Sequence, residues 1–114
     1  MRVLVVDDEI AITDLLADVL SDEGYEVAKA HDGRTALAML RDGLRPQVII
    51  TDLMMPNLDG IALYHAIRDE FPDAQIGVIL MSAGKQTRVQ DSRVVFLPKP
   101  FSIMDLLDAI ERLA

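Results

Sequence analysis

Cysteine is absent from this 114-residue chain, so disulfides, thiol catalysis and thiolate metal sites are all excluded. Histidine occurs only twice, at His31 and His65, too far apart in sequence to support a zinc site, and both read as solvated helix or loop residues. No apolar stretch approaches the ~18–20 residues that a membrane span needs. Met1-Arg2 leads straight into an apolar run rather than a signal peptide. Basic charge is scarce: 11 Lys and Arg face 19 Asp and Glu, and a net charge of −8 repels phosphate backbones, which argues against a direct nucleic-acid partner. Repeats, linkers and low-complexity segments are also missing. What remains is the expectation of one cytoplasmic domain over residues 1–114, without membrane contact. Half of its residues are apolar, and its length suffices to bury roughly two thirds of the surface of the unfolded chain.

Apolar runs alternate with helical periodicity. Strands are expected at Arg2–Val6, Glu26–Ala30, Val48–Thr51, Gln75–Met81 and Val94–Leu97; most are nearly continuous apolar runs, as in parallel strands covered on both faces. Ile12, Leu15, Leu16, Val19 and Leu20 follow helical spacing and predict a first helix ending near Gly24. Ala36, Met39 and Leu40 mark a second, stopped by Gly43 and Pro46; Leu63, Ala66 and Ile67 mark a third, ended by Phe71-Pro72. Ile103, Leu106, Leu107 and Ile110 mark the last, and Ser102 with Asp105 resembles a capping box at its start. The segment Ala83–Arg93 carries no apolar helical stripe, so the helix between the fourth and fifth strands is expected to be very short or absent. The pattern predicts an α/β fold: a doubly wound, five-stranded parallel sheet of order 2-1-3-4-5, flavodoxin-like, with right-handed crossovers.

In that order the first and third strands lie side by side at the switch point, where ligands bind beyond the carboxyl ends. Five polar residues close the apolar runs: Asp7 and Asp8 the first, Asp52 the third, Ser82 the fourth and Lys99 the fifth. Each alone has a bland reading. Asp7-Asp8-Glu9 could merely complement a helix dipole, Asp52 could be an ordinary strand end, and Ser82-Ala83-Gly84 and Lys99-Pro100 could be a turn and a helix lead. Together at successive strand ends they gather three carboxylates, a hydroxyl and an ammonium. Two unit charges at ~4 Å repel by ~4 kcal/mol at an effective dielectric near 20, so such a cluster needs a neutralising partner. Magnesium suits it, because that ion prefers oxygen ligands and commonly takes one or two carboxylates plus phosphate oxygens. A carboxylate such as Asp52 can attack phosphorus to give an aspartyl phosphate, with Lys99 and the metal neutralising charge and Ser82 and the amides of Ala83 and Gly84 donating hydrogen bonds.

From Met1 to about Leu113 the chain resembles the receiver domain of two-component response regulators, of the chemotaxis-regulator type. The resemblance is carried by Asp7-Asp8, by Thr51-Asp52-Leu53-Met54-Met55-Pro56-Asn57-Leu58-Asp59-Gly60, by Ser82-Ala83 and by Lys99-Pro100-Phe101. It implies Asp52 as phosphoacceptor and Asp8 as a direct magnesium ligand. Asp7 would act partly through water, and the backbone carbonyl of Met54 would be the remaining protein ligand. It further implies that Ser82 grips the phosphoryl oxygen on switching, that Lys99 pairs with that group, that Lys99-Pro100 is cis, and that Phe96 is the aromatic that rotates inward as Ser82 moves. The implied partners are a histidine kinase or histidine phosphotransfer protein upstream and a protein target downstream, in a phosphorelay without turnover of any metabolite. Met54 lies where side chains influence hydrolysis of the phosphoryl group; its bulk and the small Gly84 opposite act in contrary senses.

The chain departs from the family between Ser82 and Lys99, where it is several residues short. Because that region usually forms the output and dimerisation face, the expectation is a monomer or a non-standard dimer, and a mobile Ala83–Arg93 segment without phosphate. A stand-alone regulator, or a piece of a longer regulator or hybrid kinase, would both fit. Three rival readings fit the residues less well. A degenerate receiver acting as a scaffold is disfavoured by the presence of Asp8, Asp52, Ser82 and Lys99. An Asp-nucleophile phosphatase would carry D-x-D after its first strand and a cap insertion, whereas this chain has Asp7-Asp8-Glu9 and no cap. A flavodoxin-type cofactor site lacks its phosphate loop.

Overall fold

The computed structural model describes residues 1–84 and 89–114. Five strands, β1 (Arg2–Val6), β2 (Glu26–Ala30), β3 (Val48–Asp52), β4 (Gly77–Ser82) and β5 (Val94–Pro98), form one parallel sheet of order β2-β1-β3-β4-β5. Helices α1 (Ile10–Asp22), α2 (Gly33–Arg41), α3 (Gly60–Glu70) and α4 (Ile103–Leu113) complete the described elements. The α/β class and the strand order are those expected from the sequence. None of the described residues between β4 and β5 is helical. The rest of the expectation for Ala83–Arg93, including its mobility, falls in part on residues 85–88, outside the described residues.

Alternate strand residues point to opposite faces, and each face has its own helices. On one side Val3, Val5, Val48, Ile50, Ile79 and Met81 pack with Leu16 and Leu20 of α1 and with Leu106, Ala109, Ile110 and Leu113 of α4. On the other, Leu4, Val6 and Ile49 pack with Ala36, Leu37 and Leu40 of α2 and with Leu63 and Ile67 of α3. A third cluster of Leu53, Tyr64, Val78 and Leu80, with Val94 and Phe96 against it, continues that second side toward β5. Double coverage is why the strands read as unbroken apolar runs.

One helix differs instructively from expectation and another follows it. In α1 the buried stripe is Thr13, Leu16, Ala17 and Leu20, while Leu15 is 58% exposed. The helix is turned so that the small polar Thr13, and not Leu15, joins Leu16 and Leu20 in the buried stripe; the Thr13 hydroxyl is satisfied by donating to the Ile10 carbonyl at 2.9 Å. The helix ends before Gly24, whose φ of +91° is the left-handed conformation that glycine adopts freely. In α4 the capping box is present as expected: Asp105 N donates to Ser102 Oγ at 3.1 Å and Ser102 N to Asp105 Oδ2 at 3.2 Å.

Candidate functional site

The parallel register sets the site. Val6 pairs with Thr51 and Asp52 with Met81, so Asp7 and Asp8 emerge from β1 beside the carboxyl end of β3. Ser82 closes β4 opposite Pro98, and Lys99 follows at once; its amide donates to the Ser82 carbonyl at 2.7 Å. Carboxylate oxygens of Asp7, Asp8 and Asp52 all lie within 4.8 Å of one another. The Lys99 Nζ stands 3.3 Å from Asp52 Oδ1. Five residues chosen from strand ends thus meet at one edge of the sheet.

The three carboxylates are not equivalent. Asp7 is buried (1% exposed), Asp52 is half-buried and Asp8 faces solvent. Asp7 Oδ1 accepts from the Glu9 amide at 2.9 Å, whereas Asp7 Oδ2 is buried without a hydrogen-bond partner. Burial pushes the Asp7 carboxyl above the usual carboxylate range. The Glu9 amide opposes that shift and the neighbouring Asp52 charge adds to it. A desolvated carboxylate oxygen with nothing to accept from, in an all-oxygen donor set, fits a hard divalent cation such as magnesium.

The loop after β3 is held close to Asp52. A Cβ on Gly60 would lie 2.6 Å from the Asp52 carbonyl oxygen and 2.9 Å from Leu53 Cα, so only glycine lets α3 start there. Asp59 caps that helix by accepting from the Ala62 amide at 2.8 Å. Met54 is 75% exposed, with its amide 3.5 Å from Asp52 Oδ1. Phe96 is not among the carboxylates; it is half-buried in the cluster of Leu53, Tyr64, Val78 and Leu80, and with Ser82, Gly84 and Pro98 it lines a cavity. The Lys99–Pro100 bond is cis. Two features carry no signal in the sequence: the close approach at Gly60, and a polar cluster of Tyr64, Arg68 and Asp91.

The description "Response regulator receiver domain" matches residues 3–111. The chain belongs to this family. It is 39% identical over 110 residues to the response regulator MprA of Mycobacterium avium, a match covering 94% of this chain and 48% of MprA. The chain therefore spans about half the length of the curated relatives it matches. Its fold is similar to that of the chemotaxis protein CheY4 of Vibrio cholerae, with a TM-score of 0.85 and 31% identity over 99% of this chain and 98% of that one. It is also similar to the receiver domain of the hybrid histidine kinase CckA, with a TM-score of 0.83 and 32% identity over 99% of this chain and 98% of that one. Receiver domains are signalling switches rather than metabolic enzymes, and they interact with histidine kinases and downstream effectors. No helix among the described residues is long and apolar enough to cross a membrane.

Proposed function

We propose that this receiver accepts a phosphoryl group on Asp52 from a phosphohistidine of a histidine kinase or phosphotransfer protein, in the cytoplasm. The observation that carries the reading is the Lys99 ammonium 3.3 Å from Asp52, beside a carboxylate cluster whose Asp7 Oδ2 lacks a partner. An Asp52 oxygen attacks phosphorus and the P–N bond breaks. Its electron pair returns to the imidazole nitrogen, leaving an acyl phosphate on Asp52. Asp7, Asp8, Asp52 and the Met54 carbonyl would hold magnesium, which supplies positive charge to the phosphoryl oxygens. Lys99 exchanges its Asp52 contact for the transferred group, and Ser82, already joined to the start of the Lys99 loop, donates to a phosphoryl oxygen.

The new charge and hydrogen bonds favour a second arrangement of Ser82 and Phe96, which a downstream protein reads. Hydrolysis of the acyl phosphate by water returns Asp52 and inorganic phosphate. Incubation with a small acyl phosphate and magnesium tests the reading: intact-mass spectrometry should show one added phosphoryl group on the native chain and none on Asp52→Asn. Equal labelling of both chains, or labelling of neither, would exclude Asp52 as acceptor.

A further inference from the structure

The Asp91 carboxylate, just ahead of β5, gathers three donors. Its Oδ2 accepts from the Tyr64 hydroxyl at 2.7 Å and from Arg68 Nε at 2.8 Å, and its Oδ1 accepts from the Arg93 amide at 2.8 Å. Tyr64 and Arg68 are four residues apart on α3 and therefore share one face, with the guanidinium 5.1 Å over the tyrosine ring. Arg68 reaches further, donating through Nη1 to the Ile76 carbonyl at 2.6 Å, immediately before β4. On the strand side, Val94 N donates to the Asp91 carbonyl at 3.1 Å and Val78 N to the Arg93 carbonyl at 2.9 Å. One carboxylate thus ties α3, the start of β4 and the start of β5 together. Burial alone would raise the Asp91 carboxyl, but hydrogen bonds from Arg68, the Arg93 amide and Tyr64 overcome it and hold the group at about 2.

The same tyrosine has a second role. Its ring is buried and belongs to the apolar cluster against which Val94 and Phe96 pack. Phe96 cannot change place in that cluster without displacing either its neighbours or β5. Asp91 fixes both, since it holds the Tyr64 hydroxyl and the backbone that leads into β5.

We propose that Tyr64, Arg68 and Asp91 form a clasp that holds the start of β5 as a fixed pivot and sets the resting position of Phe96. They are positioning residues, acting through Phe96, and their role deepens the proposed switching of Asp52 because it rests on Phe96 being the moving aromatic. None of the three touches the carboxylate cluster, so phosphoryl uptake by Asp52 does not depend on them.

The test uses the chain labelled with 4-fluorophenylalanine. It contains three phenylalanines, Phe71, Phe96 and Phe101, whose ¹⁹F resonances are assigned by single substitution. In the resting protein, Asp91→Asn and the milder Tyr64→Phe should each move or split the Phe96 resonance by more than its linewidth and leave Phe101 unchanged. Amide exchange at Val94 and Val95 should rise at least tenfold in Asp91→Asn. A Phe96 resonance identical to the native one in both variants would overturn the clasp. Tyr64→Phe keeps the ring packing and decides the matter if Asp91→Asn does not fold. A small acyl phosphate with magnesium is then added and mass is measured in parallel. Failure of the native chain to gain a phosphoryl group would refute the Asp52 reading alone, because the resting-state comparison does not use phosphate.

Discussion

Lys99 and Asp52 come from β-strand ends that are not neighbours in the sheet, yet their charged atoms lie 3.3 Å apart. β4 stands between them, and the Lys99 amide is bonded to its last residue, Ser82. The pair is partly open to water, with the two side chains 35% and 15% exposed, so as a stabilising contact it belongs with surface ion pairs worth about 0–1 kcal/mol. Its value lies in holding a cation against Asp52. Lys99→Ala should therefore change the unfolding free energy by no more than about 1 kcal/mol. Magnesium binding should tighten, because a competing positive charge is gone, while the rate of phosphoryl uptake from a small donor falls by at least tenfold. Calorimetric magnesium titration and timed intact-mass spectrometry measure the two effects; looser magnesium binding in Lys99→Ala would count against the shared site.

Gly60 controls how near α3 comes to Asp52. Gly60→Ala puts a methyl group 2.6 Å from the Asp52 carbonyl oxygen, and that oxygen is backbone, which yields only if the loop moves. The expected cost is about 1–3 kcal/mol in urea unfolding, with slower phosphoryl uptake because Asp52 is displaced with its strand end. A fully stable, fully active Gly60→Ala protein would show that the approach is not required.

The buried carboxyl of Asp7 makes a prediction about pH and metal together. Burial raises it above its ordinary value, so the folded state binds this proton more tightly than the unfolded chain does. Without divalent ion, stability from this group is present below the unfolded pKa of 3.8 and is lost as pH rises through the higher folded value. Asp7→Asn should raise the metal-free melting temperature at neutral pH and flatten that loss. Magnesium should stabilise the native chain by about 2.7 kcal/mol at a hundredfold excess over its dissociation constant and Asp7→Asn much less. Thermal melts across pH with and without magnesium check both signs.

Asp91 behaves in the opposite sense. Its folded value of about 2 lies below its ordinary 3.8, so its stabilisation is fully present above 3.8 and disappears as pH falls through about 2. The side chain is only 19% exposed, and a shift of this size corresponds to roughly 2 kcal/mol. Asp91→Asn should cost on that order at neutral pH and remove this part of the acid-induced loss. A native-like stability profile below pH 4 together with no loss at pH 7 would contradict the hydrogen-bond pattern around Arg68 and Tyr64.

The strands were legible because coverage on both faces leaves little room for polar residues. Arg2–Val6 and Glu26–Ala30 coincide with their predicted bounds. β4 starts two residues later than the apolar run suggests, since Gln75 has a φ of +52°, outside extended geometry. The carboxylates, Ser82 and Lys99 were legible because parallel strands put their C-terminal ends on one edge, which makes residues remote in sequence neighbours in space. Periodicity failed where burial depends on helix rotation: Leu15 carries the apolar signal, but Thr13 takes the place against the sheet. The Tyr64–Arg68–Asp91 cluster gave no signal at all. Its partners are polar residues that look solvated one by one, and their pairing arises only from how α3 lies against the start of β5.

Chemical trapping at residue 52 tests the central assignment most directly. An acyl phosphate on aspartate is reduced by borohydride to homoserine, whereas a phosphoester on Ser82 or a free carboxylate is not. After treatment with a small acyl phosphate and magnesium, peptide mapping should place homoserine at position 52, and omission of magnesium should abolish it. Homoserine at position 7 or 8, or a labelled chain with Asp52 unreduced, would contradict the assignment.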